Sequence, residues 1–138
     1  MKKIILALVL LTGSFFLNSC GSSDEGDLKA VCEKQVEAMN NEDLDGLMET
    51  IDPDARFYDV TKAMSEQIFK LYDLEQEIND FKVIEVKDNT AKIEMTITTI
   101  KKAGPDFENN RITSINTMNK KDGKWLFSET SVKELKKL

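Results

Sequence analysis

The chain has 138 residues, enough for one domain, and its 41% hydrophobic and 32% charged content is that of a folded protein, which excludes a disordered chain. Its net charge is −6 and, beyond Lys2-Lys3, its lysines cluster only as short pairs, Lys101-Lys102, Lys120-Lys121 and Lys136-Lys137, so the basic stripe needed to neutralise nucleic-acid phosphates is missing. Two cysteines and no histidine exclude a zinc site of familiar type.

Met1-Lys2-Lys3 is a short positive start, followed by the apolar run Ile4 to Leu11. Thr12-Gly13-Ser14 interrupts that run before Phe15-Phe16-Leu17. The apolar total of about 14 residues falls short of the roughly 20 that a hydrocarbon-spanning helix needs, so the segment reads as a secretory signal. Leu17-Asn18-Ser19-Cys20 then resembles the bacterial lipobox, with leucine at −3, a small residue at −1 and cysteine at +1. The resemblance implies cleavage between Ser19 and Cys20, a thioether diacylglycerol on Cys20, and a further acyl chain on the new N-terminus. Each buried CH₂ contributes about 0.8 kcal/mol, so one chain anchors marginally while two or three hold firmly. Residues 1–19 are therefore expected to be a lipoprotein signal peptide. Removing them leaves 17 basic against 25 acidic residues, a net −8.

Residues 20–27 contain the small and acidic run "GSSDEGD" and read as a lipidated flexible tether. Gly21 at +2 resembles the pattern sorted to the outer membrane in diderm bacteria. Ser23-Asp24-Glu25 resembles the acidic surface-export signal of Bacteroidetes lipoproteins, although a solvated linker has the same composition. The expected location is the cell envelope, at the outer membrane of a diderm host and open to surface exposure.

Residues 28–138 read as one α+β domain. Asp27 is a plausible N-cap for a first helix carrying Leu28, Val31, Cys32, Gln35, Val36 and Met39, which Asn40-Asn41 ends. On that apolar stripe Cys32 is expected to be a small buried hydrophobe. A shorter helix presents Leu44, Leu47, Met48 and Ile51 and stops at Asp52-Pro53. Ala55 to Val60 suits a brief extended segment. Thr61 then caps a third helix bearing Met64, Ile68, Leu71, Leu74 and Ile78, with Phe69 and Tyr72 beside that stripe. After Asn79 the period becomes two. Four strands are expected at 81–87, 90–101, 111–120 and 124–132, joined by tight turns at Asp88-Asn89 and Asp122-Gly123 and by the loop 103–110. In the second strand Ala91, Ile93, Met95 and Ile97 share one face, so one side of a curved antiparallel sheet is core and the helices cover it.

This order, with "NNEDLDGLMETIDPDARF" closing the second helix and "KKDGKWLFSE" at the final hairpin, resembles the nuclear transport factor 2-like superfamily. Its cone-shaped fold is also called cystatin-like. The nearest form is the small bacterial lipoprotein domain of unknown function that directly follows a lipobox. Members of the superfamily include enzymes, ligand binders and interaction modules, so the resemblance implies a fold and leaves the function open.

The residues bear on three kinds of function. Enzymes of this shape resemble one another in placing Asp, His or Tyr inside the cone. With no histidine, only Asp59, Tyr58 and Tyr72 could stand in, and the expectation is no catalytic residue and no cofactor. A non-catalytic pocket for a small apolar ligand has candidates in Phe57, Tyr58, Phe69, Tyr72, Met95, Trp125 and Phe127, which equally suit an ordinary core. A protein-contact surface without a pocket is the alternative, with Thr96, Thr98, Thr99, Thr113 and Thr117 gathered on the outer sheet face beside Ile100 and Ile115. The expected partners are thus the membrane, through acyl chains on Cys20, and a small ligand or an envelope protein. Cys20→Ala is expected to move the protein from the membrane to the soluble fraction. Retention of that variant on membranes would refute the lipid anchor.

Overall fold

The computed structural model describes residues 20–138, with side chains from residue 24 onward. The signal segment and the lipobox residues Leu17, Asn18 and Ser19 lie outside the described residues, as does the side chain of Cys20. Three helices, α1 (Cys20–Asn40), α2 (Leu44–Met48) and α3 (Tyr58–Leu71), precede four strands, β1 (Asp73–Lys87), β2 (Thr90–Ala103), β3 (Asn110–Lys121) and β4 (Lys124–Lys137). The strands form one antiparallel sheet in the order β1-β2-β3-β4, so the expected α+β meander with helices on its concave face is observed. No described helix is long and apolar enough to cross a membrane.

Leu28, Cys32 and Val36 recur at i, i+4 and i+8 on α1 and are buried against the sheet. Leu28 and Cys32 share one core cluster with Ala91, Ile93, Met95, Met118, Trp125 and Phe127, and each large side chain so buried contributes roughly 1.5–3 kcal/mol. Burial pushes the Cys32 thiol up to about 12, helped by the charge of Glu33, so it packs as a hydrophobe and does not react as a thiolate. Asn40 ends the helix and also covers the outer edge of β1. Its side-chain amide donates to the Gln76 carbonyl at 3.0 Å, and its oxygen accepts from the Gln76 N–H at 2.7 Å.

Four expectations are corrected. α1 starts at Cys20, so Asp27 is not its cap and the stretch 20–27 read as a tether continues the helix; Asp24 pairs with Lys120 at 3.5 Å. Residues 55–60 are turn and helix rather than extended chain, because α3 already begins at Tyr58. Its N-cap is Phe57, which offers no side-chain acceptor, and Thr61 is within the helix, donating its N–H to the Phe57 carbonyl. Finally, α3 ends at Leu71, and Leu74 and Ile78 belong to β1. Tyr72 turns extended, and pairing with β2 then satisfies the backbone, with Leu74 opposite Lys101 and Ile78 opposite Ile97. Spacing alone fits both readings, since Leu74, Gln76 and Ile78 also alternate. The loop after β2 holds the end of α3 in place. Gly104 sits at φ +116°, where an added Cβ would lie 2.5 Å from the Leu71 carbonyl oxygen.

The segment between α2 and α3 is fastened to β4. Asp52 donates its N–H to the Phe127 carbonyl, and Phe127 donates to the Thr50 carbonyl, both at 2.9 Å. This makes a short parallel bridge between Ile51 and Phe127. The Asp52 side chain is buried, 3% exposed, and accepts from Lys121 Nζ at 2.7 Å and from the Asp54 N–H at 3.0 Å, with Asn119 Nδ2 at 3.4 Å. Burial pushes the Asp52 carboxyl up, but these donors outweigh it and hold the group below the ordinary carboxylate range. Its contribution to stability is therefore complete above the ordinary carboxylate pKa and is lost as pH falls through the lower folded value.

Replacing Asp52 by Asn is expected to cost about 1–3 kcal/mol near neutral pH, from charge-assisted hydrogen bonds lost in a buried place. Urea midpoints should differ by a constant amount above about pH 5, and the gap should close below about pH 4. A gap that persists in acid would mean that the charge of Asp52 is not what fastens the loop.

Candidate functional site

α1 covers one half of the concave sheet face, and α3 stands over the other half without closing on it. Between α3 and the sheet lies a cavity of about 500 Å³. Met64, Ser65 and Ile68 project from α3, Ile97 and Ile112 come from the sheet, and Met39, Leu47 and Ile51 close the side nearest α1 and α2. Met95 and Phe127 sit at the boundary, belonging both to the core under α1 and to the cavity wall.

The floor carries a polar chain. Thr130 Oγ1 donates to Asn116 Oδ1 at 2.9 Å, and Asn116 Nδ2 donates to Ser114 Oγ at 3.0 Å. Asn116 is 2% exposed, and Ser114 and Ser65 are also buried. Gln35 and Gln76 reach the rim, already donating to Thr50 and Thr99. No residue lining this cavity is titratable. The wall can therefore offer dispersion contacts and neutral hydrogen bonds; it has no group able to hold a charge or move a proton near neutral pH.

Of the seven aromatic and methionine side chains expected at a pocket, Phe57, Met95 and Phe127 line the cavity, whereas Tyr58, Phe69, Tyr72 and Trp125 do not. Trp125 is on the inward face of β4 but at the end covered by α1, where it is 3% exposed within the core and Lys120 lies 5.4 Å from its ring centre. Tyr72 has left the helix and packs on Phe107 of the β2–β3 loop, with ring centres 5.8 Å apart. The three candidates for proton transfer are not brought together. Tyr58 and Asp59 open α3 and Tyr72 follows its last residue, about 20 Å away along the helix axis. Among the described residues no group of three or more His, Cys, Asp or Glu side chains is placed to hold a metal.

Two sets of lining residues escaped the sequence reading. Met64 and Ile68 belong to the apolar stripe expected on the third helix, a pattern that a core contact and a cavity wall share. Ser114 and Asn116 alternate with Ile112 and Met118 on the inward face of β3, so two polar residues in core parity were the available sign of a cavity floor. The threonine group is divided. Thr96 and Thr113 share a hydrogen bond of 2.9 Å on the outer face, and Arg111 Nε donates to Thr98 beside them, but Thr99 points inward to Gln76. A second, more open groove of about 800 Å³ runs past Asp52, Asp54 and Lys121, whose charges are already paired with one another.

Solved structures share this architecture. A candidate aromatic ring hydroxylase from Novosphingobium aromaticivorans superposes with a TM-score of 0.73 at 12% identity, over 87% of this chain and 96% of that one. A protein of unknown function with a cystatin-like fold from Nostoc punctiforme gives 0.68 at 12% identity, over 83% and 92%. A candidate dehydratase of the nuclear transport factor 2-like family from Streptomyces avermitilis gives 0.66 at 14%, over 79% and 94%. At such identities the likeness is one of fold, and the expected cystatin-like, nuclear transport factor 2-like fold is the one observed. In sequence, the chain is 31% identical over 104 residues to the anti-sigma-I factor RsgI9 of Acetivibrio thermocellus, which covers 75% of this chain and 15% of that protein. The chain thus spans about a seventh of its relative's length. Residues 30–138 match the family model of the C-terminal domain of anti-sigma-I factor RsgI9, nearly the whole described domain, and the chain belongs to that family.

Proposed function

We propose that this chain is a non-catalytic binding domain held at the bacterial cell envelope by lipid on Cys20, and that it takes a small, uncharged, largely apolar molecule into the cavity under α3. The observation that carries this reading is a 500 Å³ cavity with apolar walls, a neutral polar floor and no titratable lining residue. That volume is within the range of small-molecule sites, and convergent neutral groups at one end of an apolar cleft fix a ligand's orientation. A carboxylate or phosphate would lose part of its hydration there without meeting a counter-charge, so the chemistry favours an alcohol, amide or ketone on an apolar body.

The same wall composition argues for binding over proton-transfer catalysis, because a general acid or base has to lie within hydrogen-bond reach of the reacting group. The family's name comes from an anti-sigma-I factor of which this chain matches 15%, so no sigma-factor contact is assigned to it, and the binding role rests on the cavity alone. Lipid on Cys20 rests on the lipobox resemblance and would hold such a domain where envelope-borne molecules reach it.

The test is uptake of a neutral, environment-sensitive apolar dye by the full chain, with Ser65→Phe placing a ring inside the cavity from α3. The variant is expected to keep its circular dichroism and to bind the dye at least tenfold more weakly, about 1.4 kcal/mol. Tyr72→Phe, outside the cavity, should bind as the parent does. No uptake by the parent chain, or equal uptake by Ser65→Phe, would remove the cavity as the binding site.

A further inference from the structure

Both edges of the sheet are covered once, and they differ beyond that point. Asn40 occupies the β1 edge at Gln76, and Ile51 occupies the β4 edge at Phe127. From Glu129 to Lys137 the outer side of β4 receives no described backbone hydrogen bond, and every residue of that stretch is exposed. An edge strand presents a row of unpaired N–H and C=O groups, which is a template for another strand.

The side chains on this stretch are arranged in a particular way. Val132 and Leu135, 61% and 55% exposed, are three residues apart, a spacing that puts side chains on opposite faces of a regular strand. Here the register against β3 slips between them. Val132 is opposite Ser114, Glu134 opposite Thr113 and Leu135 opposite Ile112, so one extra residue is accommodated. Ser114 and Ile112 both line the cavity, which places Val132 and Leu135 on the concave side. Lys133 reaches Glu94 on the outer face at 2.7 Å, and Glu134 shares the outer face with Thr113. The four residues therefore read inner, outer, outer, inner, a pattern identical when reversed.

We infer that the free edge of β4 pairs antiparallel with β4 of a second copy of this chain, about a two-fold axis passing between Lys133 and Glu134. That register places Val132 opposite Leu135 of the other copy and Lys133 opposite Glu134, apolar on apolar inside and base on acid outside, each pair occurring twice. Lysines and a bulge also serve to keep edges apart; here the lysine meets an acid across the axis, and the bulge is what makes the two apolar residues coincide. The result is a continuous eight-stranded sheet with a cavity in each half, and Val132, which also lines the cavity, lies at the seam.

The test uses the full chain, expressed as two differently tagged copies in one cell and oxidised in whole cells, so that it reads the pairing whether or not the chain is lipid-anchored. One copy carries Val132→Cys and the other Leu135→Cys, since directly opposed residues about 4.5–5.5 Å apart at Cα are within disulfide range. The parent chains set the background, and Ile84→Cys with Ile100→Cys, both exposed and away from this edge, set the level of random collision. The Val132/Leu135 pair is expected to give covalent heterodimer at least about fivefold above both controls. Lys133→Glu should cut that yield, and Lys133→Glu combined with Glu134→Lys should restore it, although the contact with Glu94 stays broken. A yield no higher than the controls would overturn the pairing. A loss with Lys133→Glu that Glu134→Lys does not rescue would overturn the register, because breaking the Glu94 contact alone would explain it.

Discussion

A sheet with long strands has more apolar inner surface than one helix can cover, and much of this molecule follows from that mismatch. β1, β2 and β4 have 14 or 15 residues, about 46–50 Å at 3.3 Å per residue, whereas the 21 residues of α1 rise about 31 Å. α1 is placed at one end, where Leu28, Cys32 and Trp125 fill the space between helix and sheet. The other end falls to α3, which carries a serine and two residues of moderate reach, Met64 and Ile68, where a core would need larger apolar side chains. The space beneath it stays open, and the division of the concave face into a filled half and a hollow half is the origin of the site.

Holding α3 above the sheet calls for anchors at both its ends, because its underside has no continuous contact. At one end the Ile51–Phe127 bridge and the Asp52 carboxylate fasten the approach to α3 against β4. At the other, the chain passes straight from Leu71 into β1, and the β2–β3 loop closes on the joint through Gly104 and through Phe107 on Tyr72. These contacts act on the frame of the cavity and leave its interior uncommitted. The interior is free to differ among members of the fold, and at 12–14% identity its chemistry is not transferable from one to another.

What distinguishes this cavity is its neutrality within an acidic protein. The charged side chains lie away from it, several of them in pairs such as Lys133 with Glu94 and Lys121 with the exposed Asp54 and the buried Asp52. The inner wall holds only amides and hydroxyls among its polar groups. With no charged group among them, those amides and hydroxyls would choose ligands by hydrogen-bond geometry rather than by charge. Their mutual bonds, from Thr130 through Asn116 to Ser114, fix their directions before anything enters.

Period and turn chemistry in the sequence were enough to determine the α+β class, the order of helices before strands, both tight hairpin turns and the inward face of β2. Each of these is decided within a few residues: Asp122 and Gly123 both take positive φ, and Ala91, Ile93, Met95 and Ile97 alternate in place. The sequence also marked Phe57, Met95 and Phe127 as apolar surface without deciding their use. Only the tertiary structure decided that Leu74 and Ile78 leave the helix, because strand pairing satisfies their backbone as fully as a helix would and adds a partner strand. Only it separated Trp125 and Tyr72 from the cavity, since both are aromatic residues that pack equally well against a helix, a loop or a ligand. The hollow itself could not be read from one dimension: it is the difference between the length of a sheet and the reach of the helices laid across it.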